Sequence, residues 1–185
     1  MVKEIIANNE ERLEKSIAAL RREFGSLRAG RATPSLLDKV VVDYYGTPTP
    51  VNQVAKVSVP EPRMIVIQPW EKNLIHDIEM AIMKSDLGLS PNSDGTAIRL
   101  SIPQLTQERR QELVKTVGKK AEEAKVAIRN IRRDGNESVK KLEKAKEITE
   151  DESKKAQEDI QKIVDKYIKT VDTLKEAKDK EIMEV

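Results

Sequence analysis

The chain has 185 residues, of which 36% are charged and 3% aromatic; it carries a formal net charge of +2 and no cysteine. That length allows one sizeable domain or two small ones, and the charge-rich, aromatic-poor composition points to long solvated helices more than to a large globular core. Absent cysteine excludes disulfides and thiolate metal sites. No run approaches the ~18–20 apolar residues of a membrane span, and the acids in Met1–Glu11 exclude a signal or transit peptide, so a cytoplasmic protein without a membrane partner is expected.

The first 27 residues read as one helix, because Leu13, Ile17, Leu20, Phe24 and Leu27 recur at spacings of 4, 3, 4 and 3. Gly30 and Pro34 then predict its end, since glycine can leave the helix and proline biases Thr33 away from helical angles. A β-rich run, Val40–Tyr45, follows and is closed by the turn chemistry of Gly46-Thr47-Pro48-Thr49-Pro50. The pattern predicts a strand over Val51–Val59 and a short apolar strand over Met64–Ile67. Leu74, Ile75, Ile78, Ala81 and Ile82 predict a short helix over 73–84. Residues 86–95 have loop chemistry, and Thr96–Ile102 alternates as a last strand.

Thr106 is a candidate N-cap for a second long helix reaching about residue 146, with Val114, Val117, Ala121, Ala124, Ile128, Ile131, Leu142 and Ala145 as its seam. Gly118 and Gly135 each cost about 1 kcal/mol there relative to Ala. Asp134-Gly135-Asn136 could split the rod, but Leu142 and Ala145 keep the phase of Ile128 and Ile131, which favours continuity. A capping box, Thr149-Glu150-Asp151-Glu152, opens the third helix, whose stripe is Ala156, Ile160, Ile163, Tyr167, Val171, Leu174 and Ala177. Three helices that cannot bury their stripes alone predict an antiparallel three-helix bundle. The expected fold is therefore α+β: a bundle built from residues 1–30 and 105–185, with a small strand-rich α+β domain, 31–104, inserted in it. The two chain crossings, Ala29, Gly30 and Arg31 on one side and Pro103, Gln104 and Leu105 on the other, are candidate hinge residues; a fixed, packed junction is the alternative.

Little here supports catalysis. His76 is the only histidine and lies off the apolar face of its helix, so a surface position is expected; no constellation can form a zinc site, and no strand–GxxxxGK–helix unit cradles a nucleotide. No cofactor is implied. Trp70, after Pro69, is expected to be a core or cap aromatic of the small domain. Charge is the informative signal. Residues 105–148 hold 13 Lys/Arg against 8 Asp/Glu, whereas 149–185 hold 8 against 11. At about 100° per residue, Arg132 lies roughly 70° from the seam centre, and Arg129 and Arg133 point well away from it. Arg110, Lys125, Arg129, Arg132 and Arg133 thus form a basic array on a stiff rod, with Arg28 near the Arg110 end. Arginine suits bidentate phosphate contacts, and the lack of aromatics disfavours base stacking, so folded RNA recognised by shape and backbone is the expected target. A solvated helix with ion pairs is the bland alternative. A helical structural or chaperone-like interaction protein is the rival function.

Five blocks in order carry a resemblance: Leu27-Arg28-Ala29-Gly30-Arg31-Ala32-Thr33-Pro34-Ser35-Leu36-Leu37-Asp38, Asp43-Tyr44-Tyr45-Gly46-Thr47-Pro48-Thr49-Pro50, Ser85-Asp86-Leu87-Gly88-Leu89-Ser90-Pro91-Asn92, Leu105-Thr106-Gln107-Glu108-Arg109-Arg110, and Ala127-Ile128-Arg129-Asn130-Ile131-Arg132-Arg133. Along essentially its whole length the chain resembles the bacterial-type ribosome recycling factors; Ala29 stands where many relatives have a hydroxyl residue. The resemblance implies an L-shaped, monomeric molecule whose bundle binds large-subunit ribosomal RNA through arginines matching Arg28, Arg110, Arg129, Arg132 and Arg133. It also implies that the GTPase elongation factor G acts against the small domain to split ribosomes after termination, and that the chain itself is not an enzyme.

Overall fold

A computed structural model describes residues 1–27 and 30–184. The chain divides into two compact units, Met1–Arg28 with Thr106–Val185, and Ala29–Leu105.

The first unit consists of three long helices, α1 (Val2–Ser26), α4 (Gln107–Lys144) and α5 (Glu150–Met183). Each starts or stays helical for a local reason. Thr106 caps α4 by accepting from Arg109 N, and Thr149 caps α5 by accepting from Glu152 N. α4 runs through both Gly118 and Gly135 without a break, a rod of about 57 Å at 1.5 Å per residue. Cross-helix pairs fix the directions. Arg12 with Asp134 and Glu23 with Lys120 make α1 and α4 antiparallel; Lys125 with Asp172 and Arg132 with Gln161 make α4 and α5 antiparallel. Glu14 with Tyr167 and Leu27 with Lys178 make α1 and α5 parallel. Leu13, Ile17, Leu20 and Phe24 meet Leu113, Val117, Ala121, Ile128 and Ile131, and Ala156, Ile160, Val164 and Val171, all buried. Truncating one of these large aliphatics, such as the fully buried Ile128, to Ala is worth about 2–5 kcal/mol.

The seams shift slightly from the predicted ones. Val164 rather than Ile163 is fully buried, Ala177 and Ala145 are exposed, and Lys178 is buried in the stripe instead. Asn9 is also buried, facing Gly135, whose hydrogen side leaves no room for a Cβ: one would lie 2.5 Å from Asn9 Nδ2. That glycine lets α1 and α4 approach around a polar side chain.

The second unit holds two antiparallel sheets. One is the hairpin β1 (Val41–Tyr44) with β2 (Thr47–Pro50); the other has the order β3-β4-β6-β5, from β3 (Ala55–Glu61), β4 (Met64–Pro69), β5 (Pro91–Ser93) and β6 (Ile98–Ser101). The register Val57–Ile67–Ile98 and Ile65–Leu100 aligns the apolar residues on one face. There they share a core with Ile78 and Ile82 of α3 (Ile75–Lys84). Lys56, Gln68 and Arg99 point to the other face and are exposed. Where the pattern predicts a strand from Val51, the chain instead makes a helical turn, α2 (Val51–Val54), which buries two valines three apart. β2 and β5 replace predicted turn and loop. Both contain proline, and both are edge strands, where a missing N–H is readily tolerated. Trp70 departs most from expectation. Its N–H holds Val54 O at 3.1 Å, but aliphatic side chains close the core and leave the ring 70% exposed.

Candidate nucleic-acid interface

α4 positions the candidate cations, and its helical angle decides what each can do. Measured from buried Ile128, Arg132 lies at about 40°, Lys125 at about 60°, Arg129 at about 100° and Arg133 at about 140°. These four share one arc, over a rise of about 12 Å, along the border between α4's outer surface and its groove with α5. Arg133 is exposed and has no hydrogen bond or ion pair among the described residues. Arg129 is exposed and donates to Glu122 Oε1 at 3.2 Å, a surface pair worth about 0–1 kcal/mol. Arg132 is half-buried and donates to the neutral Gln161 Oε1 at 3.3 Å, so its charge is uncompensated there. Lys125 is the least available: its Nζ lies 2.6 Å from Asp172 Oδ1. A phosphate approaching the arc can take over these weak partners without breaking the bundle, and the guanidinium geometry suits two oxygens at once.

Arg110 does not join them. Its position about five helical turns before Ile128 puts it on the same meridian, facing the core. It is buried, and its Nη1 donates to Ile182 O at 2.7 Å and Glu184 O at 3.0 Å, satisfying the terminal carbonyls of α5. Arg110, which the sequence places in the basic array, is therefore turned into the bundle instead, and its angle relative to Ile128 was the legible signal. Lys178 does the equivalent for α1, donating from a buried position to Leu27 O at 3.0 Å. Arg28 and Ala29 lie outside the described residues. Of the other crossing residues, Gly30 has φ +75°, with Leu105 Cγ 3.0 Å from where a Cβ would sit, Leu105 is half-buried, and Arg31, Pro103 and Gln104 are exposed.

Sequence reasoning missed part of the basic surface. Lys115, Lys119, Lys140 and Lys144 are exposed and share the 3-4 spacing of Arg129 and Arg133 on α4's outer row; the periodicity used for the apolar seam finds them once it is applied to cations. Arg12 of α1, paired at 3.0 Å with Asp134, lies beside the same stretch. His76 is exposed, as its helical position predicts. Among the described residues no group of three His, Cys, Asp or Glu could hold a metal ion, and no helix is long and apolar enough to cross a membrane.

The family model described as ribosome recycling factor matches residues 20–183. The chain is 61% identical over 185 residues to the ribosome-recycling factor of Desulforamulus reducens, and 59% identical over 185 residues to that of Syntrophomonas wolfei, covering 100% of each pair of chains. It is similar to a solution structure of a ribosome recycling factor, with a TM-score of 0.77 and 42% identity over 100% of this chain and 98% of that one. It is also similar, with a TM-score of 0.64 and 46% identity over 100% of both chains, to the T. thermophilus ribosome recycling factor placed with E. coli elongation factor G on the E. coli post-termination complex.

Proposed function

The chain belongs to the ribosome recycling factor family, and from that premise we propose that it binds the post-termination ribosome and, with elongation factor G, separates it into subunits and frees the message. The observation that carries this proposal is the arc of Lys125, Arg129, Arg132 and Arg133 on an unbroken 38-residue helix. Cations on a rigid rod hold their spacing against a phosphate backbone and pass displacement along the rod, whereas cations on a loop would absorb it. Arg110 supports the same surface by fixing α5 against α4, and Arg28 is a further residue for the RNA contact. The interface is large-subunit ribosomal RNA, read through phosphates. GTP hydrolysis belongs to the partner; this chain acts in the cytoplasm as a single copy, is not an enzyme, and takes no cofactor.

The proposed division of labour follows the two units: residues 1–30 with 105–185 grip RNA, and residues 31–104 receive the push. Ala29, Gly30, Arg31, Pro103, Gln104 and Leu105 form the hinge. Gly30 supports this role, because at φ +75° any other residue is strained. Replacing it with Ala is expected to leave large-subunit binding intact and to slow splitting.

Two measurements test the proposal. Gradient profiles of post-termination ribosomes incubated with the protein, elongation factor G and GTP should show free subunits, and a persistent 70S peak rejects the function. Arg132→Glu should weaken co-sedimentation with large subunits by about tenfold or more, as loss of a charge-assisted contact of about 1.5–3 kcal/mol implies, with helical content unchanged. Equal binding by mutant and parent would reject the interface.

A further inference from the structure

The tip of the β1–β2 hairpin is tied to Glu71, the residue after exposed Trp70, and pairs Tyr44 with Tyr45, aromatic side chains that the RNA-facing arc does not use. The chain has only five aromatic residues, yet Tyr45 is 74% exposed and Trp70 70% exposed, both in the second unit. Tyr45 and Gly46 are the two central residues of the hairpin turn, with φ +50° and +85°. That geometry favours Asn-Gly, and a left-handed tyrosine costs about 1–2 kcal/mol. The ring is nevertheless held in place. Tyr45 OH donates to Glu71 Oε1 at 3.1 Å, and Tyr44 packs edge-on against Tyr45 with centroids 4.6 Å apart. Glu71 directly follows Trp70 in the chain. No cation lies within ion-pairing distance of Glu71 among the described residues, and its Oε2 is buried without a hydrogen-bond partner. Asp43, whose Oδ1 accepts from Gly46 N at 2.7 Å, adds a second carboxylate at the same tip.

From this juxtaposition we infer that Tyr45, Trp70 and the Glu71 carboxylate form a docking platform for an arginine- or lysine-bearing segment of a protein partner. Ring faces attract cations, tryptophan most strongly, and a carboxylate beside them adds charge complementarity. Tyrosine and tryptophan held rigid at a surface are the side chains that concentrate binding energy at protein interfaces. The same two carboxylates repel phosphate, which distinguishes this surface from the α4 arc and disfavours RNA as its occupant. The negative field is already felt locally: the hydrogen bond and charge of Glu71 raise the pKa of Tyr45, and burial followed by Glu71 raises that of Tyr44. The platform deepens the recycling proposal by naming how the second unit meets a protein, but it can be tested independently of it.

Trp70 is the only tryptophan, so its emission reports this site alone. Titrating the intact protein at low salt with a tryptophan-free arginine-rich peptide should give a saturable change in Trp70 fluorescence. Glu71→Lys should weaken that binding by about tenfold, and Glu71→Gln and Tyr45→Asn by less. Tyr45→Asn suits the turn, so any loss reflects the missing ring and not a misfolded hairpin. Oligouridylate should leave the emission unchanged. The inference is overturned by an unresponsive tryptophan, by equal affinity in Glu71→Lys, or by an oligonucleotide response that Glu71→Lys strengthens, which would assign the surface to RNA. In the splitting assay, Trp70→Ala and Tyr45→Asn should slow subunit separation while large-subunit binding stays parental. Parental splitting by both variants would remove the platform from recycling and leave the recycling function standing.

Discussion

Gly135 has no space for a methyl group, because Asn9 occupies the position its Cβ would take. Gly118 faces only Lys175 Cε at 3.9 Å. The two glycines of α4, indistinguishable by helix propensity, therefore have opposite expected responses. Gly118→Ala should stabilise the protein by about 1 kcal/mol. Gly135→Ala should destabilise it by about 1–3 kcal/mol, and a simultaneous Asn9→Ala should recover most of that loss; thermal melts followed by helical circular dichroism check all three. Asp94 offers a titration of defined sign. It accepts from Thr96 N, Thr96 Oγ1, Ala97 N and Arg99, which hold its carboxyl well below the ordinary 3.8. Its contribution is thus fully present above pH 3.8 and is lost as pH falls below that through the lower folded value. A carboxyl chemical-shift titration should find the Asp94 midpoint below 3.8, and a midpoint at or above it would show that the turn does not grip the charged form. Side chains such as Asn9 and Trp70 were illegible in the sequence because their fate depends on what faces them across the fold, which local pattern does not encode.

At the level of elements, the turn between α4 and α5 shows how the rod ends. Lys146 has φ +59°, Lys146 N donates to Glu143 O, and Glu147 N donates to Leu142 O, the paired bonds of a helix terminus that usually carries glycine. Lys146→Gly should raise stability by about 1 kcal/mol in denaturant unfolding, with the helices unchanged. The long helices were readable because each repeats its signal over many turns and Thr106 and Thr149 mark where two of them begin. The short elements were not. β5 is three residues long, β2 carries two prolines, and both are held by pairing with a neighbour rather than by their own residues. The Val51–Val54 helix hid inside a valine pattern that also fits a strand.

For the whole molecule, the uneven charge noted in the sequence becomes a surface property. The arc of Arg129, Arg132 and Arg133 was legible from angle and residue type, whereas the burial of Arg110 followed from a meridian that composition conceals. If these cations bind through phosphates, affinity for large subunits should fall linearly with salt on logarithmic axes. Arg133→Ala should then reduce the magnitude of that slope by about 1; an unchanged slope in a binding titration across salt concentrations would show that Arg133 displaces no counterion. The exposed Trp70 has a further consequence for optical work. The three-helix unit contains Phe24 and Tyr167 but no indole, so its melting is nearly invisible to emission spectroscopy. A fluorophore that already faces water when folded gives little change on denaturation, and a flat emission trace from this protein would be compatible with complete loss of its helices.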